Sequence, residues 1–115
     1  NETNILLKII INVIQEIKGK DIVSLDLRKI NSAICQHFII CTGTSSTHVK
    51  SIENKIKKTI SKNLNEKPFN TEGKKSSEWI LMDYYDIIVH IFQEQTRHFY
   101  NIEDFWGDAK FKHYK

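Results

Sequence analysis

The side chains best suited to chemistry are five histidines, two cysteines and a hydroxyl-rich turn around Gly43. His37, His48, His90, His98 and His113 contain no H-x-x-x-H pair of the kind that sets two imidazoles on one helical face for a metal. Cys35 and Cys41 are six residues apart, which fits no common zinc spacing. Cys41 sits in an apolar run that suits a buried thiol, and with no wider cysteine pattern a reducing cytoplasm is the expected setting. His90 stands among Ile87, Ile88, Val89, Ile91 and Phe92. A lone imidazole there reads as a hydrogen-bonded core residue before it reads as a catalyst. Asp83 and Asp86 flank a turn, where aspartate bonds the local backbone. Nothing resembles a nucleophile elbow or a catalytic-cysteine signature. No catalytic residue, metal ligand or cofactor is therefore assigned.

The segment Thr42-Gly43-Thr44-Ser45-Ser46-Thr47 sets a glycine turn and hydroxyls at the start of a helix. Free amides and the helix dipole make such an end an anion site, so one reading is a nucleotide-binding or nucleotidyltransferase-like enzyme using the Gly43-to-Thr47 turn. Ordinary capping by Ser45 or Ser46 needs the same residues and contributes about 1 kcal/mol. There is no P-loop spacing, no lysine directly after the serine pair, and no Asp-x-Asp or Asp-x-Glu pair within the helix to hold a metal. Capping is the expected role.

These residues need a scaffold. The 115 residues suit one domain, 1–115, with 40% hydrophobic and 27% charged residues as in an ordinary folded chain. Four glycines and one proline leave little room for a long linker. No apolar run approaches the roughly 20 residues of a membrane span. The stretch from Ile5 to Ile17 is broken by Lys8, Asn12, Gln15 and Glu16, a pattern for an amphipathic helix and a poor one for a signal peptide.

Ile5, Ile9, Val13 and Ile17 predict a helix over 4–18, stopped at Gly19. Strands are expected over 21–27 and 37–42, the second apolar on both sides. Val49, Ile52, Ile56, Ile60 and Leu64 mark a second helix. A short edge strand over 68–72, strands over 78–84 and 87–92 joined at Tyr85-Asp86, and a helix over 93–105 complete the chain. The order helix-strand-strand-helix-strand-strand-strand-helix predicts a mixed α/β (α+β) sheet flanked by helices. The helix between the second and third strands allows a parallel crossover there.

Along the strand Glu78 to Tyr84, Ile80, Met82 and Tyr84 point one way, while Trp79, Leu81 and Tyr85 point the other. Both faces are apolar. One lines the core, and the other needs a helix or a partner. Tryptophan, tyrosine and methionine are enriched at interfaces, and periodicity leaves core and partner equally open. Six lysines from Lys50 to Lys67 face two glutamates. They read as a solvated helix face, or as an RNA-binding adaptor steering toward phosphates. No interleaved aromatics mark a base-stacking platform. The net charge of +3 and the pI of about 8.8 are only mildly basic.

Several stretches taken together resemble the Iojap-like ribosomal silencing factors. They are Asp21-Ile22-Val23-Ser24-Leu25-Asp26, the run from Phe38 to Val49, Glu72-Gly73 with Glu78-Trp79-Ile80-Leu81-Met82-Asp83, and Asp86-Ile87-Ile88-Val89-His90-Ile91-Phe92. Arg97, Phe99-Tyr100 and Phe105-Trp106-Gly107-Asp108-Ala109 continue the pattern over nearly the whole chain. The resemblance implies a mixed sheet related in shape to nucleotidyltransferases but without their acids. It implies docking on the large ribosomal subunit through its fourteenth ribosomal protein, near ribosomal RNA, where a bound factor blocks subunit joining and represses translation when nutrients are scarce. It also permits a homodimer and involves no membrane. On that pattern Trp79, Leu81, Met82 and Tyr84 would be apolar anchors, with Thr44, Ser45 and His48 as polar neighbours. This chain departs from the pattern at Tyr85, where relatives often carry a small residue, at Asn31, where serine is commoner, and at Phe105, where leucine is usual.

Overall fold

A computed structural model describes residues 2–115. Its elements are α1 (Glu2–Glu16), β1 (Lys20–Asp26), β2 (His37–Gly43), α2 (Ser46–Leu64), β3 (Asn70–Glu72), β4 (Trp79–Asp83), β5 (Ile87–Gln93), α3 (Glu94–Tyr100), α4 (Ile102–Phe105) and β6 (Lys110–Tyr114). The strands form one sheet in the order β3-β4-β5-β2-β1-β6. β2 and β5 pair in parallel, and the other neighbours are antiparallel. The expected mixed sheet flanked by helices is the architecture found.

The partner of the parallel pair differs from the expectation. β2 lies beside β5, not beside the third strand. β3 has only three residues and follows Pro68, which suits an edge. β5, like β2, is apolar on both faces, and every residue from Ile87 to Phe92 is buried. Two such strands satisfy each other's backbones at the centre of a covered sheet.

α1 and α2 lie on one face. Leu6, Ile10, Ile14, Val49, Ile52, Ile56 and Ile60 pack there against Ile22, Ile39, Ile80, Met82, Val89 and Ile91. The buried stripe of α1 is Leu6, Ile10, Ile11, Val13 and Ile14, whereas Ile5 is 49% exposed. A strict four-residue repeat drifts off one face of a helix with 3.6 residues per turn, so the stripe cannot keep Ile5 inward. α2 starts as expected, with Ser45 in extended geometry and its Oγ accepting from the His48 amide at 3.1 Å.

The far end departs further. The helix expected over 93–105 is two short helices broken at Asn101, which takes a left-handed backbone at φ 43°. β6 was not expected. It pairs with β1 from Ile22↔Tyr114 to Asp26↔Lys110, and Tyr114 lies 3.1 Å from Ser24 through their hydroxyls. The β4–β5 turn has Tyr85 at φ 70°, the region that favours glycine, and the Asp83 carboxylate accepts the Tyr85 amide at 2.8 Å.

The drift in α1 predicts unequal stability effects. Ile10→Ala should lower unfolding free energy by about 2–5 kcal/mol, and Ile5→Ala should change it by no more than about 0.5 kcal/mol, in urea titrations. Equal losses would contradict the orientation of α1.

Candidate docking surface

The second face of the sheet is covered unevenly. Val23, Leu25, Phe38, Ile40, Ile88 and Phe92 form its core, beneath Ile30, Ala33 and Cys35 of the β1–β2 connection and Ile102, Trp106 and Ala109 of the C-terminal region. Among the described residues no long helix lies here. Trp79 and Leu81 of β4 stand on this face, packed against the core but only partly buried.

The indole of Trp79 is held from several sides. Its Nε1–H donates to Nδ1 of His90 at 3.1 Å. Its ring stacks on Phe92 at 4.8 Å between centroids and meets Tyr100 at 4.9 Å. His90 in turn meets Phe38 edge-on at 4.5 Å, and Phe38 meets Trp106 at 5.7 Å. Because indole only donates, Nδ1 of His90 must be unprotonated, so the neutral ring carries its proton on Nε2. Burial without a countercharge pushes the His90 pKa down to about 3. The imidazole therefore stays neutral and serves as the fixed acceptor that orients Trp79.

Arg97 fastens the C-terminal helices to the sheet end. Its guanidinium makes a two-pronged pair with Glu103 at 2.9 and 3.1 Å. It also donates to the Asp21 carbonyl at 2.7 Å and to the Thr42 hydroxyl at 2.8 Å. Such forked bonds fix direction as well as distance. Tyr100, which follows in α3, is thereby kept beside Trp79. Phe99 and Phe105 point outward at 80% and 79% exposure, and Tyr100 is 53% exposed. Trp79, Leu81, Tyr100, Phe99 and Phe105 give this side of the molecule an apolar aromatic surface. Phe99, Tyr100 and Phe105 belong to the family pattern quoted above but were not expected as surface residues, and all three rings are exposed.

Two expected anchors are elsewhere. Met82 is fully buried and Tyr84 is 4% exposed, both in the core under α1 and α2. Alternation along β4 sends them to the opposite face from Trp79, so in this fold both side chains are core residues and not surface ones. Burial, and then the nearby Glu53, push the Tyr84 phenol above its ordinary value. Thr44, Ser45 and His48 gather at the start of α2. The Thr44 amide donates to His48 Nδ1 at 2.9 Å, and His48 Nε2 lies 2.7 Å from the Ile17 carbonyl. They tie α2 to α1. Thr42 and Trp79 both align with Phe92, so this cluster sits at the same end of the sheet as Trp79, two strands away or roughly 10 Å across.

The Gly43 turn is occupied by structure. A Cβ on Gly43 would come 2.7 Å from Val49 Cγ2, so the glycine permits close helix–strand packing. Its neighbour's amide is already bonded to His48. The cleft beside it, about 390 Å³, is lined by Glu94 as well as Lys20, and that carboxylate opposes an anion.

Residues 1–114 match the protein family described as ribosomal silencing factor during starvation. The chain is 37% identical over 103 residues to the ribosomal silencing factor of Chromobacterium violaceum, covering 90% of this chain and 83% of that one. A crystal structure of a protein from Chromobacterium violaceum superimposes with a TM-score of 0.84 at 36% identity, covering 90% of this chain and 85% of that one. A mouse protein named for mitochondrial assembly of the ribosomal large subunit is 26% identical over 72 residues, covering 61% of this chain and 32% of that one.

The His90 environment predicts an acid limb of stability. A depressed folded pKa leaves the full contribution in place above the unfolded value of 6.5, and it is lost as pH falls toward about 3. Lowering the pH from about 6.5 to about 5 should cost roughly 1.5 kcal/mol at this one site, a loss that His90→Gln should remove in urea titrations at both pH values. An unchanged acid limb in His90→Gln would refute the buried neutral imidazole.

Proposed function

Because the chain belongs to the family of ribosomal silencing factors, we propose that it binds the large ribosomal subunit through the fourteenth ribosomal protein and blocks joining of the small subunit. Residues 1–115 act as one unit, in the cytoplasm and close to ribosomal RNA, and repress translation when nutrients are scarce. Occlusion needs affinity and bulk and no chemistry at the surface. The observation that supports this most is the uncovered side of the sheet, where Trp79 is pre-set by His90, Phe92 and Tyr100. An anchor already in its bound geometry loses little freedom on docking, and tryptophan and tyrosine dominate interface hot spots.

In this reading Trp79 and Leu81 are the anchors, with Tyr100, Phe99 and Phe105 widening the apolar contact. Thr44 and Ser45, both exposed, form a polar rim with His48. Met82 and Tyr84 support β4 from the core side. A homodimer through the same apolar surface would compete with docking.

Two variants separate anchor from support. Trp79→Ala should weaken binding to isolated large subunits by about 2 kcal/mol, roughly 30-fold, with secondary structure unchanged by circular dichroism. Met82→Ala should lower the unfolding free energy by about 2–5 kcal/mol and leave the affinity of the folded fraction near the original. A folded Trp79→Ala protein that binds normally would overturn the assignment.

A further inference from the structure

The solvent side of α2 carries Lys50, Lys55, Lys57, Lys58 and Lys62, all exposed. The only acidic residue of this helix, Glu53, is turned into the core at 4% exposure. The ion pairs among the described residues are Arg28–Asp26 and Arg97–Glu103, so none of these five charges is paired. Lys50 and Lys57, and likewise Lys55 and Lys62, are seven residues apart, which sets each pair about 10 Å apart along the helix. Lys58 falls between the two rows. Exposed Asn54 and Ser61 add short hydrogen-bonding groups between the charges. A solvated helix face ordinarily interleaves both signs, with pairs at four-residue spacing. This one carries a single sign over almost four turns.

We propose that α2 is a phosphate-backbone contact for double-stranded ribosomal RNA. Its charge matches a polyanion, and the absence of exposed aromatic rings on the helix rules out base stacking as the mode. The core side of α2 seats on β2, β4 and β5, whereas Trp79 occupies the other face of the sheet. The lysine ridge and the apolar docking surface therefore look in opposite directions. A factor docked by Trp79 holds α2 away from the docking protein, with its lysines free to meet RNA. This inference rests on the ribosomal reading for the source of the RNA, but not for the binding chemistry.

The probe is a labelled 20-base-pair RNA duplex, titrated with the full chain by fluorescence anisotropy across a salt series. One variant changes Lys50, Lys55, Lys57, Lys58 and Lys62 to glutamine, which keeps helix propensity. A control changes exposed Lys8, Lys29, Lys74, Lys75 and Lys110 to glutamine, an equal loss of charge. The wild type should bind with a slope of log affinity against log salt of about −4, given roughly 0.7–0.9 per phosphate contacted. The ridge variant should bind at least about tenfold more weakly at low salt with a slope near −1, and the control should stay within about threefold of wild type. Trp79→Ala should bind the duplex normally while binding the large subunit roughly 30-fold more weakly, so failure of the docking reading and failure of this one give different patterns. No duplex binding by the wild type, or equal losses in ridge and control variants, would overturn the proposal.

Discussion

Every residue of β2, from His37 to Gly43, is buried. A strand apolar on both sides needs a layer above and a layer below, and the rest of the chain is arranged around that demand. α1 and α2 meet it on one side with long stripes of isoleucine and leucine. The other side is met by short pieces: a loop with Ile30 and Ala33, then Ile102 and Trp106. These pieces cover β1 and β2 and leave β4, next to the short edge strand β3, partly open. The candidate docking surface is thus what remains of a core face after the chain's own cover ends.

That remnant is specific because of a few polar bonds. The indole of Trp79 could lie in several ways on a flat sheet, but the imidazole of His90 accepts its N–H and Phe92 lies under it. The desolvation that keeps His90 neutral also keeps it an acceptor. Arg97 does the matching work at the rim, joining α4 through Glu103 to β1 and β2 through Asp21 and Thr42. Neither group touches a partner in the docking reading, yet both set where the aromatic rings stand. On the opposite side α2 shields the core and leaves its lysines unpaired in solvent.

Much of the fold was legible from local pattern. The helix of Val49, Ile52, Ile56 and Ile60, the Ser45 cap, and the hairpin turning at Tyr85-Asp86 all follow from periodicity and turn chemistry, which act within a few residues. β6 was hidden because Lys110-Phe111-Lys112-His113-Tyr114 has few apolar residues and gains its backbone partners from β1, far away in sequence. The site was half legible. Alternation already separated Trp79 and Leu81 from Met82 and Tyr84, but both faces are apolar, and only the placement of α2 decides which pair is covered. The Trp79–His90 bond depends on the register Trp79↔Phe92, which no local signal carries. The family resemblance named four residues of this stretch, and the fold leaves Trp79 and Leu81 on the open face while it buries Met82 and Tyr84.

The most direct measurement is subunit joining itself. Purified large and small subunits are mixed with and without the protein, and joined ribosomes are resolved from free subunits on a sucrose gradient. Occlusion predicts that the protein sediments with the large subunit, is absent from the small one, and shifts joined ribosomes to free subunits in proportion to its occupancy. A large subunit that carries the protein and still joins the small subunit at the normal extent would contradict it.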